Sequence, residues 1–120
     1  MQDYKKINVW RAAHELTVRV YKITMQFPKS EVYALTSQLR RAVASIPSNI
    51  AEGCGRNSQA DFAHFLNMSL GSANESSYFL LLAKDLSYIH EDEYHFLENE
   101  IERIKAMLIS LISKVRVIKN

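Results

Sequence analysis

Apolar residues recur at alternating spacings of three and four along most of this chain. The clearest series lies near the C-terminus and consists of Tyr94, Leu97, Ile101, Ile104, Leu108, Leu111, Val115 and Ile118. A second series lies near the N-terminus and consists of Val9, Ala13, Leu16, Val20, Ile23 and Phe27. Because an α-helix has 3.6 residues per turn, this spacing places each series on one side of a helix. The pattern predicts an all-α protein.

Residues that start or stop helices divide the chain into four segments. Pro28 ends the first helix and Ser30 can cap the second, which stops at the glycines around Cys54. Ser58 followed by Asp61 resembles a capping box that opens the third helix. The predicted helices span about 8–27, 31–53, 59–89 and 92–118. Because the connections are short, we expect one domain, residues 1–120, folded as an up-down-up-down antiparallel four-helix bundle.

Pro47 conflicts with the second helix, since it lacks a backbone donor and its ring crowds the carbonyl of Val43. We expect a kink, because Ile50 continues the apolar series. The alternative is that the helix ends at Ile46 and a separate turn begins at Ser48.

Length and composition are those of an ordinary globular domain, with 120 residues of which 48% are hydrophobic. Cys54 is the only cysteine, and the N-terminal residues lack the apolar core of a signal peptide, so a cytoplasmic location is expected. The longest wholly apolar run, residues 79–83, is far too short to span a membrane. No membrane partner is predicted.

Two helices carry more small or apolar surface than a monomeric bundle needs. One side of the second helix is a strip of mostly small residues, and the third helix carries two apolar stripes. The candidate contact residues between copies are Ser37, Arg41, Ala44, Ser48, Ala51, Ser72 and Phe79. These faces predict a homo-oligomer. The alternative is that the small residues lie at tight points inside one bundle.

Several short motifs occur in an order typical of one protein family. They are Val9-Trp10, Val20 to Thr24 leading to Phe27-Pro28, Leu35 to Ala42, Ser45-Ile46-Pro47-Ser48-Asn49-Ile50-Ala51-Glu52-Gly53, and Gly71 to Glu75. The sequence from about Val9 to Ile89 thereby resembles the bacterial four-helix-bundle proteins encoded by intervening sequences in 23S rRNA genes. The resemblance implies a ring-like homopentamer without established catalytic activity. It also implies a distant relationship to accessory proteins of diversity-generating retroelements, which bind reverse transcriptase and nucleic acid.

Metal and catalytic sites are weakly supported by the sequence. Di-metal bundles use a Glu-x-x-His pair from each of two helices, and the chain offers one approximation, Asp61 and His64. His90 and His95 lie on different helix faces, and His14 has no second histidine at a ligand spacing. Cys54 has no histidine close in sequence to act as a base. We therefore predict no catalytic residue, no metal and no cofactor.

Glu75 lies on an otherwise apolar stripe of the third helix, so its carboxylate needs a partner or a proton. Counting residues down antiparallel helices places it level with Arg40 and Arg41 of the second helix. We predict a structural ion pair that fixes helix register or subunit geometry. The alternative is an enzyme site in a Glu/Arg crevice.

Charge is distributed unevenly although the net charge is only +2. Residues 1–60 hold nine Lys and Arg against four Asp and Glu, whereas residues 61–120 hold six against nine. The predicted topology gathers seven cations at one end of the bundle, against Asp3, Glu52 and Asp61. These candidate nucleic-acid contacts are Lys5, Lys6, Arg11, Arg56, Lys114, Arg116 and Lys119.

The opposite end is predicted to be acidic, with six carboxylates against Lys22, Lys29 and Lys84. Part of this asymmetry in the fourth helix is what the helix dipole favours in any case. In a ring of parallel subunits, however, the basic end would repeat around one rim and could hold RNA or DNA backbone. The predicted function is a non-enzymatic homo-oligomeric scaffold with such a rim. The alternative is a protein-protein adaptor that does not bind nucleic acid.

Overall fold

The computed structural model describes residues 2–117, which form four α-helices packed as a bundle. The helices are α1 (Asn8–Thr24), α2 (Leu35–Cys54), α3 (Gln59–Asp85) and α4 (Glu91–Val117). Each helix packs against its neighbour in the chain, and α4 also packs against α1. The bundle measures 49 × 24 × 20 Å. The predicted all-α, up-down-up-down four-helix architecture is confirmed.

The core consists almost entirely of aliphatic side chains contributed by all four helices. The largest fully buried ones are Leu39, Ile46, Ile50, Leu66, Leu80, Leu97, Ile101, Ile104, Leu108, Val20 and Val43. Burying a residue of this size is worth about 1.5–3 kcal/mol, so the apolar series that predicts the helices also holds them together. Charged side chains are left to the surface, where the functional residues must be sought.

The connection between α1 and α2 differs from the prediction at both of its ends. Helix α1 ends at Thr24, although buried Phe27 continues its apolar series in the turn that follows. Helix α2 was expected from residue 31 with Ser30 as its cap, but it begins at Leu35. The N-cap residue is Ala34, whose side chain cannot cap, and the Leu35 backbone N–H donates instead to Oε1 of Glu31 at 3.1 Å. The prediction of Ser30 as the cap is therefore wrong.

Helix α3 ends at Asp85, four residues before the predicted end at 89. The chain leaves the helix through Ser87, which has a φ of 64°. Its N–H bonds to the carbonyl of Lys84, and the N–H of Tyr88 bonds to the carbonyl of Ala83. This is the Schellman arrangement, which commonly uses glycine at the left-handed position. Because a serine occupies that position, the sequence does not indicate this helix end.

The other predicted helix ends agree more closely with the structure. Ser58 caps α3 by accepting a hydrogen bond from the Asp61 backbone N–H at 3.1 Å. Helix α4 opens with three carboxylates in its first turn, where the positive end of the helix dipole stabilises them. Its predicted last residue, Ile118, lies outside the described residues.

Pro47 lies inside α2 without breaking it. Proline has no N–H to offer the carbonyl of Val43 one turn earlier. In compensation, the hydroxyl of Thr17 on α1 lies 3.1 Å from that carbonyl oxygen and 2.8 Å from the carbonyl oxygen of Ala13. One hydroxyl of α1, shared between these two carbonyls, therefore makes up in part for the donor that the proline removes, and the continuous helix excludes the alternative of an end at Ile46.

Candidate nucleic-acid interface

The N-terminal residues are fixed to the same end of the bundle as the α2–α3 turn. The backbone N–H of Gln2 donates to the carbonyl of Cys54, the last residue of α2, at 3.2 Å. Asp3 then caps a single 3-10 turn, Tyr4–Lys6, by accepting from the Lys5 N–H at 3.0 Å. This tether places the first two lysines of the chain beside the end of α2.

Most of the predicted basic residues are exposed at this end and have no acidic partner. Within residues 2–117, no carboxylate oxygen lies within 4 Å of the side-chain nitrogens of the following five cations: Lys5, Lys6, Arg11, Lys114 and Arg116. We call these five residues the basic cluster. Unpaired exposed cations can bind phosphate oxygens without first breaking an ion pair.

Two of the seven predicted basic residues are outside this cluster. Arg56 is paired, because its Nη2 lies 2.9 Å from Oε2 of Glu52 and its guanidinium lies 4.6 Å from the centre of the Phe65 ring. Its charge is thus partly neutralised. Lys119 lies outside the described residues.

At the acidic end, several charged side chains already have partners. Arg19 on α1 donates two hydrogen bonds to the carboxylate of Glu93 on α4, at 3.0 and 3.2 Å. Glu31 accepts hydrogen bonds from the Leu35 backbone N–H and from the Tyr88 hydroxyl, which donates to its Oε2 at 2.8 Å. Glu91 stays exposed in the first turn of α4. The predicted charge polarity is thus carried by free cations at one end and by partly paired carboxylates at the other.

An aromatic cluster that the sequence did not predict lies beside the basic cluster. The rings of Trp10 and His14 lie parallel, with centres 5.0 Å apart and an interplanar angle of 5°. Tyr4 meets Trp10 edge-on with centres 4.9 Å apart. Residues 10 and 14 are one helical turn apart, a spacing that could have suggested this contact. The approach of Tyr4 depends on the N-terminal tether and is not visible in the sequence.

Glu75 is paired with only one of its two predicted partners. Arg41 Nη2 lies 3.2 Å from Glu75 Oε2, and the two side chains are 56% and 42% exposed. Arg40 turns to α1 instead, where it donates to Thr24 Oγ1 at 2.8 Å and to the Tyr21 carbonyl at 3.1 Å. The three charges do not form one crevice, and this geometry gives no support to an enzyme site built from them.

The predicted contact residues between copies lie on the outer side of α2 and α3. Ser37, Arg41 and Ser48 are exposed, while Ala44, Ala51, Ser72 and Phe79 are half-buried. Helix α3 adds exposed apolar side chains that the prediction omitted, namely Met68, Tyr78 and Leu81. A Cβ added at Gly71 in the middle of α3 would meet no atom within 4 Å. Packing within one protomer therefore gives no reason for that glycine.

Cys54 has the opposite character to an activated nucleophile. Burial, together with the negative charge of Asp3, raises the pKa of its thiol. Reactive cysteines have a lowered pKa that supplies thiolate at neutral pH. Residues 2–117 contain no cluster of three or more His, Cys, Asp or Glu side chains that could hold a metal ion.

An open groove adjoins the basic cluster. Between the start of α1 and the end of α4 lies an open groove of about 450 Å³, lined by Ile7, Met107 and Leu111 with Lys114 at its edge. The groove adds an apolar surface to the basic end.

None of the helices within residues 2–117 has the length and hydropathy to cross a bilayer.

A solved structure and a family model are similar to this chain. No curated protein is significantly similar to it. A crystal structure from Bacteroides thetaiotaomicron, of a protein with unknown function from the S23 ribosomal protein family, superposes with a TM-score of 0.80 and 31% sequence identity. The superposition covers 88% of this chain and 95% of the other. The family model described as 23S rRNA-intervening sequence protein matches residues 5–110. The chain therefore belongs to the 23S rRNA-intervening sequence protein family.

Proposed function

We propose that this protein is a non-enzymatic, homo-oligomeric helical scaffold that binds the backbone of nucleic acid through its basic end. The observation that carries the proposal is the basic cluster of five exposed cations without carboxylate partners in the described part of the chain. Phosphate contacts of this kind supply affinity without reading base sequence.

Self-association is supported by the outer side of α2 and α3. Exposed apolar side chains on a helix that already faces the core on its other side favour cover by another chain. Gly71 and its neighbour Ser72 would allow a second backbone to approach α3 closely, since neither carries a large side chain. Five copies, as the family resemblance implies, would place five basic clusters on one rim.

Repetition of the basic cluster matters because one protomer offers few phosphate contacts. When several weak sites are held in one assembly, binding of the first raises the effective concentration of the others. A polyanion long enough to span two protomers should therefore bind the assembly far more tightly than a short one. Affinity should fall steeply as salt is added.

The test combines the mass of the assembly with the salt dependence of binding. Light scattering gives the number of protomers, and fluorescence anisotropy of a labelled duplex gives affinity between about 50 and 200 mM salt. Replacement of Lys114 and Arg116 by Gln should lower the magnitude of the slope of log affinity against log salt, by about 0.9 for each phosphate that a protomer no longer neutralises. The matched control replaces Lys22 and Lys29, exposed lysines at the acidic end, and should leave the slope unchanged.

A protein-protein adaptor is the second candidate, and one observation favours it. Met25, Val32 and Tyr33, at the acidic end, are 77%, 47% and 97% exposed. Such side chains are typical of a surface that binds another protein. If the wild-type oligomer binds neither duplex nor single strands at about 50 mM salt, the scaffold proposal is wrong and the adaptor function replaces it.

A further inference from the structure

The parallel rings of Trp10 and His14 form a short aromatic stack that ends in an exposed histidine beside the basic cluster. Trp10 is half-buried against the core, whereas His14 is exposed on α1. Tyr4 meets the half-buried Trp10 ring from the side, and the Nζ of Lys5 lies 5.7 Å from the centre of the Tyr4 ring. Trp10, the inner ring of the stack, is therefore packed on both sides, and His14 is the exposed member.

Three exposed cations, Lys5, Lys6 and Arg11, lie close in sequence to the Trp10–His14 stack at the same end of the bundle. Arg11 is three residues before His14, so the two side chains are neighbours on the surface of α1. Lys5 and Lys6 follow Tyr4 in the N-terminal turn and are exposed. Within residues 2–117 none of these three cations is held by a carboxylate, and the only side-chain hydrogen bond of Arg11 there is a 3.4 Å contact to Asn8. An exposed aromatic ring flanked by free cations is the arrangement with which proteins bind single strands.

We propose that the basic end prefers single-stranded nucleic acid, and that one unpaired base stacks on His14 to extend the Trp10–His14 stack. This inference rests on the proposed function, because the basic cluster must first bind the backbone. A duplex presents the same phosphates but keeps its bases stacked on each other. Preference for single strands therefore comes from the aromatic stack and not from charge.

The experiment compares oligonucleotides that share the same phosphates but differ in their bases. The probes are a labelled single-stranded oligonucleotide, a duplex of the same sequence, and a strand of equal length with abasic sites in place of bases. The wild-type oligomer should bind the base-bearing strand roughly five- to a hundredfold more tightly than the abasic strand, the range for stacking of one base.

Variants assign the effect to the ring of His14. His14→Ala should abolish the preference for bases, whereas His14→Phe, which keeps an aromatic ring, should retain it. The matched control is His64→Ala, since His64 is also an exposed histidine on a helix near the α2–α3 turn. Far-UV circular dichroism melts confirm that each variant is folded.

The outcomes separate the two proposals. Equal affinity for base-bearing and abasic strands, or a His14→Ala variant that behaves like His64→Ala, overturns the stacking inference and leaves backbone binding intact. Absence of binding to any of the three probes at low salt overturns both. Preference for bases that disappears in His14→Ala and is kept in His14→Phe supports the stacking inference.

Discussion

Gly53 lies where α2 approaches α3 closely, whereas Gly71 lies on an open side of α3, so alanine at these two positions tests the packing of the two helices. A Cβ added at Gly53 would lie 2.9 Å from Cδ1 of Phe62 and 3.0 Å from Cβ of Phe65. Phe62 is buried, and the Cβ of Phe65 is fixed by the backbone of α3, so neither can move aside without shifting the helix. A Cβ at Gly71 meets nothing within the protomer. Gly53→Ala and Gly71→Ala are therefore a matched pair.

The expected difference in stability between the two variants follows from two opposing effects. Replacing a helical glycine by alanine favours the helix by about 1 kcal/mol at either position. Overpacking at Gly53 costs about 1–3 kcal/mol, and this cost is absent at Gly71. The helix gain cancels between the two variants, so Gly53→Ala should be less stable than Gly71→Ala by about 1–3 kcal/mol. An unfolding entropy of about 2.1 cal/mol/K per residue converts this to a difference of roughly 4–12 °C in Tm.

The assay is thermal unfolding of both variants and wild type at one protomer concentration, because association shifts Tm. Light scattering on the same samples reports whether Gly71→Ala changes the assembly. A Gly53→Ala protein that melts at or above Gly71→Ala, with the mass of both unchanged, would refute the close approach of α2 to α3.

Two further predictions concern polar contacts between helices. Thr17→Val removes the hydroxyl that serves the Val43 carbonyl, and it should destabilise the protein by about 1–2 kcal/mol in urea unfolding, while a change below about 0.3 kcal/mol would show that the contact is unimportant. The hydrogen bond from Tyr88 to Glu31 raises the pKa of the Tyr88 hydroxyl. Because the folded pKa is raised, this contribution is complete below about pH 10, the unfolded value, and disappears as pH rises through the folded pKa. Tyr88→Phe should therefore lose less stability than wild type between about pH 9 and 12, and parallel curves would contradict this.

The fold could be predicted because the apolar residues of this chain recur with the 3.6-residue period of an α-helix, and most of these residues form the buried core. The helix ends were less predictable, since two of them depend on unusual local chemistry. Ser87 takes a left-handed conformation that is usually marked by glycine, and Glu31 accepts a hydrogen bond from the first residue of a helix that starts four residues later. Neither residue type indicates these roles. The Ser58 cap could be predicted because serine at that position is the common solution.

The candidate site was predictable only where topology alone places residues together. Short antiparallel connections bring the chain termini and the α2–α3 turn to one end, so the cations there follow from helix order. Ring contacts depend on side-chain orientation, and the stack of Trp10 on His14 required the structure. The register argument for Glu75 could reach a window of two arginines but could not choose Arg41, because adjacent helical residues point about 100° apart.

The exposure of the Arg41–Glu75 ion pair also limits how much the pair can contribute to the stability of one protomer. An ion pair whose members are about half-exposed adds about 0–1 kcal/mol to the stability of one protomer, which is too little to explain a carboxylate among apolar neighbours. In the proposed assembly the same face of α2 and α3 is covered, and both charges leave water. Burial of either charge without its partner would then cost several kcal/mol, whereas burial of the pair is far less costly. The pair would therefore act on the geometry of assembly, because it penalises every arrangement of copies that separates Glu75 from Arg41.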